Sequence, residues 1–202
     1  MICPLCHKVE AELFHTDRTR TFYKCPDCTI IFVPRNQIIS KEEEKSRYDT
    51  HNNDETDPHY REYYLRTVDP VVRELFPEMK GLDFGCGRTQ LMKTLFSEKG
   101  FRMDSYDPFY VPDESIWDKD YDFIVMNEVI EHLADPVATL SDLRKISRGP
   151  LFVRTKLYPE SDFGKWFYMR DPTHIQFFSL KALAEIGKVK VLGEDLYRIE
   201  WK

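Results

Sequence analysis

The sequence predicts an α/β fold in which a doubly wound, mostly parallel sheet follows a small N-terminal cysteine module. Gly85-Cys86-Gly87 forms a glycine turn directly after a short apolar strand. The next strand, residues 102–106, ends at the acidic Asp107. A third apolar run, residues 123–126, is continuous, as in a parallel strand that is buried on both faces. Glycines at one strand tip and a carboxylate at the next are typical of a site for an adenosine-type cofactor.

Length and composition allow one α/β domain and a small additional module. The chain has 202 residues, of which 42% are apolar and 32% are charged, as in ordinary soluble proteins. Its net charge of −6 argues against a surface built for nucleic acid. No apolar run approaches the roughly 20 residues that cross a bilayer. The start, Met1-Ile2-Cys3-Pro4, leaves no room for a signal peptide, so we expect a cytoplasmic protein.

Four cysteines form two pairs near the N-terminus, Cys3 with Cys6 and Cys25 with Cys28. Two tight turns at this C-x2-C-x18-C-x2-C spacing present four thiolates, which suits a tetrahedral Zn²⁺ site. A module of about 35 residues has too small a core to fold alone, so metal binding would supply its folding energy. A redox pair needs only one C-x-x-C, and disulfides are rare in the cytosol. We predict a structural zinc ribbon over residues 1–38, with no open coordination position.

A polar segment, residues 39–57, separates the ribbon from the α/β domain that we predict over residues 58–202. The segment begins with a capped helix start at Ser40. Residues 47–54 have no apolar periodicity and are too rich in asparagine and aspartate for a helix. Apolar and tyrosine side chains then recur at helical spacing, which predicts a helix over residues 58–76 with an interruption at Pro70.

The remaining elements follow one another as strands and helices of the same sheet. A helix follows the glycine turn and ends at Gly100. Asp135-Pro136 begins another helix, and residues 151–157 supply a further strand. Beyond them the sequence predicts a helix over residues 179–186 and an antiparallel hairpin formed by residues 189–192 and 196–201.

The glycine turn indicates which cofactor is bound. A dinucleotide fingerprint has a third glycine where this chain has Gln90. A cofactor without a pyrophosphate has less use for that glycine, and S-adenosylmethionine (SAM) carries only an amino-acid tail there. Residues 82–87, Leu-Asp-Phe-Gly-Cys-Gly, resemble the first motif of class I SAM-dependent methyltransferases. Residues 121–133 resemble the fourth strand of that family and its Glu-His-Leu helix start, and residues 171–179 resemble the Asp-x-Thr-His…Phe-Ser segment of its type 23 subfamily.

The resemblance implies a Rossmann-like methyltransferase domain that binds SAM at the strand tips. Asp83 would help to hold the ammonium of the methionine tail, and Asp107 would accept hydrogen bonds from the ribose. The segment between Asp107 and Tyr121 is too short for a helix and the third strand of the family, so we expect that strand to be truncated or absent. Pro108, Phe109, Ile116 or Trp117 would then pack on the purine. The cofactor residues implied are Asp83, Gly85, Cys86, Gly87, Asp107, Pro108, Asn127 and Glu128.

The resemblance also implies a lid and candidates for catalysis. In related methyltransferases the segment before the first strand folds over the cofactor, which makes Tyr48, His51 and Asn52 candidates for contacts to SAM or acceptor. The alternative is a flexible interdomain loop.

Two histidines are candidates for catalysis. His132 is either catalytic or a helix-start residue that lines the pocket. His174 is a second candidate base, with Tyr168 and Arg170 orienting the acceptor. In the alternative reading, residues 171–174 only brace their loop.

The distribution of charge bears on the acceptor. From Asp104 to Asp142 the chain has eleven acidic residues and one basic residue, and from Arg144 to Lys190 it has ten basic and four acidic residues. The first block would surround a sulfonium cofactor, and the second favours an anionic acceptor, unless both are solvated surface.

We expect methyl transfer to an oxygen or nitrogen atom of a small molecule. One alternative is RNA methylation, because some ribosomal RNA methyltransferases begin with a Cys-Pro-Leu-Cys ribbon, although the near-neutral charge of this ribbon weighs against it. The other is a non-catalytic interaction module that retains the fold.

Overall fold

An antiparallel ribbon and one helix precede the α/β domain. The computed structural model describes residues 1–50 and 54–202, so the predicted contacts His51 and Asn52 lie outside the described residues. The ribbon contains β1 (Glu12–Thr16), β2 (Thr21–Lys24) and β3 (Ile31–Phe32). A 3₁₀ helix, Arg35–Gln37, follows β3.

Helix α1 (Lys41–Asp49) begins at Ser40, as predicted. The Ser40 hydroxyl accepts a hydrogen bond from the N–H of Glu43, and the Glu43 carboxylate accepts one from the N–H of Ser40. The helix extends to Asp49, and our expectation that residues 47–49 are non-helical is therefore wrong. Pairs of side chains four residues apart stabilise this last turn, including an ion pair of 2.9 Å between Lys45 and Asp49.

The α/β domain alternates helices and strands in the predicted order. Helix α2 begins at Pro58, directly after Asp57, whose side chain caps it, and contains Pro70. It ends before the predicted limit at residue 76. The elements from α2 onward are α2 (Pro58–Val72), β4 (Lys80–Phe84), α3 (Leu91–Glu98), β5 (Arg102–Tyr106), β6 (Phe123–Asn127), α4 (Pro136–Ile146), β7 (Leu151–Arg154), β8 (Gln176–Phe177), α5 (Leu180–Ile186), β9 (Gly187–Gly193) and β10 (Leu196–Trp201).

The main sheet has six strands in the order β5-β4-β6-β7-β10-β9. Strands β5, β4, β6 and β7 are parallel, and β10 is antiparallel to both β7 and β9. This arrangement confirms the predicted doubly wound, mostly parallel sheet with a closing hairpin. Because parallel strands end at the same edge, the glycine turn, Asp107 and Asn127 come together there.

Strand β5 is the outer strand of this sheet, so the third strand of the family pattern, which we expected to be truncated or absent, is not found among the described residues. A 3₁₀ helix, Glu114–Asp118, occupies part of the connection to β6. Its Ile116 is fully buried, and the ring of Trp117 lies 5.9 Å from that of Tyr106. These two side chains pack against the sheet, which accounts for their apolar character without a contact to a purine.

The ribbon is joined to the α/β domain through a second sheet. Strand β3 pairs antiparallel with β8, with Ile31 opposite Phe177. The ring of Phe22 lies 5.3 Å from Phe163 and 5.9 Å from Phe177, so both parts contribute to one aromatic core. The division at residue 38 therefore stays a prediction. Within residues 1–50 and 54–202, no helix combines the length and the apolar character needed to span a membrane.

Candidate active site

The four cysteines predicted to bind metal come together within the ribbon. The sulfur atoms of Cys3 and Cys28 lie 3.5 Å apart, and those of Cys6 and Cys25 lie 3.7 Å apart. All four lie within 4.8 Å of one another. Sulfur ligands about 2.3 Å from a tetrahedral Zn²⁺ are about 3.8 Å apart. The cluster therefore fits this ion and leaves no position for a substrate.

The glycine turn crosses the end of β5. The N–H groups of Gly85 and Cys86 donate to the Tyr106 carbonyl oxygen at 2.8 and 3.0 Å. Gly85 and Gly87 have φ angles of 81° and 67°, in the left-handed region that favours glycine. A Cβ atom on Gly87 would have no neighbour within 4 Å. The backbone is therefore accessible to a ligand at this edge of the sheet.

Asp83, inside β4, has a buried carboxylate whose Oδ2 atom has no hydrogen-bond partner among the described residues. Burial, together with the charge of Asp107, raises the pKa of Asp83 to about 8. A buried acceptor without a partner is costly unless a ligand supplies a donor. An ammonium group fits this requirement.

Asp107 is held rigidly at the tip of β5. Its Oδ2 atom accepts a hydrogen bond from the N–H of Gly87 at 3.0 Å, and its Oδ1 atom accepts from Phe109 and Tyr110 at 2.8 and 3.1 Å. A carboxylate offers about four acceptor positions, so three are taken by backbone. The predicted ribose contact therefore has room for a hydroxyl, and Pro108 lies exposed beside it. Asp83, Gly87 and Asp107 together fit the tail and ribose of SAM.

Asn127 and Glu128 stand at the tip of β6, the next strand of the sheet. The Asn127 side-chain oxygen accepts a hydrogen bond from the Thr67 hydroxyl of α2 at 2.7 Å. Glu128 has a φ of 56°, an uncommon conformation for a residue with a Cβ. Its Oε1 atom lies 3.9 Å from Nε of Arg154. Strained backbone of this kind is concentrated at functional sites.

Helix α1 lies across the glycine turn. The Asp49 carboxylate pairs with Arg88 at 2.5 Å and accepts a hydrogen bond from the Tyr110 hydroxyl at 2.7 Å. Arg47 pairs with Asp171 at 3.1 Å, on the loop that carries His174. The helix thus contacts both the predicted cofactor side and the predicted acceptor side.

Tyr48 of α1 lies between these contacts, with its ring 6.0 Å from Phe109 and 5.6 Å from His132. Burial and the nearby charge of Glu44 raise the pKa of Tyr48 well above its usual value, so its hydroxyl stays protonated. Its role in binding SAM or acceptor stays a prediction.

Tyr168 lies beneath the predicted acceptor loop as a buried hydrogen-bonding residue. Its hydroxyl lies 2.9 Å from Oε2 of Glu128 and is also hydrogen-bonded to Oε1 of Glu131. Glu131 is fully buried, and its Oε2 atom has no partner among the described residues. Burial, followed by the charge of Glu128, raises the pKa of Glu131 to about 8. The position of Tyr168 favours the support of two carboxylates over direct contact with an acceptor.

The two predicted catalytic histidines are neighbours. The His132 and His174 rings lie 4.7 Å apart, and the His174 ring lies 3.9 Å from that of Tyr168. Burial lowers the pKa of His174, which keeps its ring neutral near pH 7. Residues 171–174 also brace their own loop, because the Thr173 hydroxyl and N–H donate to Asp171 at 2.6 and 3.0 Å.

Other predicted positions differ from the expectation in detail. The Arg170 side chain is exposed and donates to the Lys165 carbonyl oxygen at 3.2 Å. The Glu-His-Leu segment forms a 3₁₀ turn, Ile130–His132, and α4 begins only at Pro136, so the segment is not the start of an α-helix.

Glu131, Asp49 and Arg88 belong to this site but were not predicted from the sequence. The spacing of Glu128, Glu131 and His132 was the available signal for Glu131, because three ionisable groups directly follow a buried strand.

Comparisons with known proteins identify the family of this chain. The profile of the type 23 methyltransferase domain family matches residues 57–188, well over half of the chain. No curated protein matches the sequence significantly. One similar solved structure is the Burkholderia thailandensis 1,6-didemethyltoxoflavin-N1-methyltransferase with bound 1,6-didemethyltoxoflavin and S-adenosylhomocysteine. It is 15% identical, the match covers 94% of this chain and 97% of that chain, and the TM-score is 0.53.

Another similar structure is a SAM-dependent methyltransferase from Thermotoga maritima, a possible histamine N-methyltransferase. It is 20% identical, with 71% of this chain and 73% of that chain covered and a TM-score of 0.43. Given the family match over the segment that contains the glycine turn, Asp107 and His174, the chain belongs to the type 23 methyltransferase domain family and is a SAM-dependent methyltransferase.

Proposed function

We propose that this protein transfers the methyl group of SAM to an oxygen or nitrogen atom of a small-molecule acceptor. The observation that carries the proposal is the convergence of three features at one sheet edge: the open backbone at Gly87, the Oδ2 atom of Asp83, which has no partner among the described residues, and the hydrogen-bonded carboxylate of Asp107. SAM supplies a methyl group that its sulfonium already activates. The chain must therefore mainly hold the acceptor in line with that group in a pocket with little water.

Each of these residues has a proposed role in binding the cofactor. Asp83 accepts from the ammonium of the methionine tail, which explains its unpartnered oxygen. Asp107 accepts from the ribose, while its bond to the Gly87 N–H keeps the glycine turn in place. Pro108 and Asn127 flank the adenosine. The N–H groups of Gly85 and Cys86 already donate to the Tyr106 carbonyl oxygen. These two residues therefore let the backbone approach the cofactor closely but donate no hydrogen bond to it.

The position of α1 supports a small acceptor. Its ion pairs connect it to Arg88 of the glycine turn and to Asp171 of the predicted acceptor loop. A helix held in this way covers the strand edge, and an RNA helix would have to displace it. His132 and His174 face the acceptor side under this cover, next to Tyr48, and either is a candidate base.

The ribbon has a structural role in this proposal. Zn²⁺ bound by Cys3, Cys6, Cys25 and Cys28 would stabilise the ribbon, whose strand β3 in turn pairs with β8. Strand β8 immediately follows the loop of His174. The metal would therefore support the acceptor side from a distance.

A screen with radiolabelled SAM tests the acceptor class. Small molecules with hydroxyl or amine nucleophiles, both anionic and neutral, are incubated with the full chain beside ribosomal RNA. The proposal expects label in at least one class of small molecules and none in RNA. Label confined to RNA, or SAM binding with no transfer to any small molecule, would overturn it.

A further inference from the structure

Three potential metal ligands lie close together outside the ribbon, at the predicted acceptor side. Glu131, His132 and His174 each offer a ligand atom, and these atoms lie within 4.8 Å of one another. We propose that they bind one divalent first-row transition-metal ion, which leaves coordination positions for an oxygen atom of the acceptor. This proposal rests on the proposed function, because it assigns the ion to the acceptor side of the same site.

The hydrogen bonds of the two histidines prepare them for such an ion. Nδ1 of His132 lies 2.9 Å from the Thr173 carbonyl oxygen, and Nδ1 of His174 lies 2.7 Å from the Tyr168 carbonyl oxygen. A carbonyl oxygen only accepts, so each Nδ1 carries the proton and each Nε2 carries a lone pair. Metal-bound histidines commonly have this second interaction with a backbone carbonyl, which fixes the tautomer and the orientation of the ring.

Glu131 supplies the negative charge that the site needs. Its side chain is fully buried, and Oε2 has no hydrogen-bond partner among the described residues. Within residues 1–50 and 54–202, no lysine or arginine forms an ion pair with Glu131, whereas Arg154 lies 3.9 Å from Glu128. A buried carboxylate without a cation is unfavourable, and a bound metal ion removes that penalty.

Tyr168 orients the carboxylate of Glu131 through a hydrogen bond. Its hydroxyl has one hydrogen atom but contacts both Glu131 Oε1 and Glu128 Oε2, and it lies 3.3 Å from the Thr155 hydroxyl. One donor cannot satisfy two ionised carboxylates, so this pair requires added positive charge, either a proton or a metal ion. A cation bound to Glu131 supplies it. Tyr168 is therefore a positioning residue in the proposal, and Glu128 stands in the outer shell.

The ligand set indicates the kind of ion. Two imidazoles and one carboxylate suit Mn²⁺, Fe²⁺, Co²⁺ or Zn²⁺ better than Mg²⁺, which prefers oxygen ligands. Three protein ligands leave open positions, unlike the closed set of four cysteines in the ribbon. An acceptor hydroxyl bound at an open position loses its proton to water more readily than a free one. The site thus favours an oxygen acceptor over a nitrogen acceptor.

The test is a titration of the full zinc-loaded chain with each of two metal ions. Binding of Mn²⁺ is monitored by electron paramagnetic resonance, and binding of Co²⁺ is monitored by visible absorption. Thiolates bind Mn²⁺ weakly, so the four cysteines of the ribbon do not compete with this site for Mn²⁺. We expect one Mn²⁺ or Co²⁺ per chain at this site, with cobalt bands that lack thiolate charge transfer. Glu131→Gln and His174→Gln should each weaken binding at least tenfold, whereas His59→Gln, an exposed histidine on α2, should not.

Three controls are measured on the same samples: melting curves report folding, zinc content reports the ribbon metal, and calorimetry reports SAM binding. The proposal is overturned if neither ion changes its signal with the wild type, or if folded Glu131→Gln and His174→Gln bind as well as wild type. If one variant does not fold, the other decides. SAM binding without metal binding contradicts this inference alone, whereas absence of SAM binding contradicts the proposed function.

Discussion

Arg88 of the glycine turn and Asp49 at the end of α1 form an ion pair with a distance of 2.5 Å between Nη2 and Oδ1. The Tyr110 hydroxyl, three residues beyond Asp107, donates to the same carboxylate oxygen. One carboxylate therefore ties α1 to both strand tips that would hold the cofactor. This arrangement makes α1 a cover for the site whose docking depends on Asp49.

We expect Asp49→Asn to loosen this cover with little effect on the fold. An exposed ion pair contributes little to stability because solvent screens it, so the melting temperature should change little. The dissociation rate of SAM should rise several-fold, because the cover opens more often. Stopped-flow displacement measures that rate.

The matched control for the cover is Asp142→Asn, which removes the exposed pair with Lys145 on α4. It should leave SAM dissociation unchanged. Equal dissociation rates for Asp49→Asn and wild type would show that α1 does not cover the cofactor.

The two glycines of the turn should respond differently to an added methyl group. Gly87→Ala places its Cβ in open space, so the fold should lose only roughly 1–2 kcal/mol from the left-handed backbone, while SAM binding weakens at least tenfold. Gly85→Ala would place its Cβ 2.5 Å from a methyl carbon of Val129. It should lose a further 1–3 kcal/mol from overpacking.

Chemical denaturation and calorimetry measure both effects on the glycine variants. If Gly87→Ala binds SAM as tightly as wild type, the open space beside Gly87 is not where the cofactor lies.

The raised pKa of Asp83 predicts a pH dependence. The folded value of about 8 lies above the ordinary value of 3.8, so the folded protein holds this proton more strongly than the unfolded chain. The contribution of Asp83 to the free energy of unfolding therefore falls as the pH rises from about 4 to about 8. Binding of the cofactor ammonium requires the ionised form.

SAM affinity should accordingly rise up to about tenfold per pH unit between pH 6 and 7.5, below the titration of the α-amino group of the cofactor. Calorimetry in buffers of different ionisation enthalpy should detect release of up to one proton. Asp83→Asn should bind weakly with a flat profile. A steep rise that persists in Asp83→Asn would assign the proton to another group.

Removal of the ribbon metal should affect the acceptor loop as well as the ribbon. Cys25→Ser breaks the four-thiolate set, and zinc sites of this kind supply most of the folding free energy of small modules. We expect loss of thiolate-bound metal, a lower melting temperature and increased hydrogen exchange in β3 and β8, which pair with each other.

Cys86→Ser is the control for the ribbon, because Cys86 is a separate buried thiol in the glycine turn. When Co²⁺ replaces Zn²⁺ in the ribbon, Cys86→Ser should keep the thiolate-to-cobalt charge-transfer band, and Cys25→Ser should lose it. A Cys25→Ser protein that retains this band and the exchange protection of β8 would contradict the structural role of the ribbon.

Local signals in the sequence were sufficient for the main sheet. The glycine turn, the run at 123–126 and the C-terminal hairpin are marked by hydrophobic patterning or by turn residues. The short segment after Asp107 predicted a truncated or absent third strand, and the described residues contain none. The pairing of β3 with β8 was not predictable, because each strand has two residues and exists only through a partner far along the chain.

In the site, too, contacts between residues far apart in the sequence were not predictable. Asp83 and Asp107 belong to strand tips and were found from spacing. The role of Glu131 depends on Tyr168, which is 37 positions away and reaches it only through the fold. The helical end of α1 was missed because composition argued against a helix, whereas the capping box at Ser40 and the Lys45–Asp49 pair stabilise it.

Calorimetric titration of SAM into wild type and Asp107→Asn tests the central claim most directly. Asp104→Asn, a change on the same strand but away from its tip, is the control. Wild type and Asp104→Asn should bind one SAM per chain, and Asp107→Asn should bind roughly 10- to 100-fold more weakly, since a hydrogen bond to a charged acceptor contributes about 1.5–3 kcal/mol. Absence of binding to wild type, or equal binding by folded Asp107→Asn, would contradict a cofactor site at the glycine turn and Asp107.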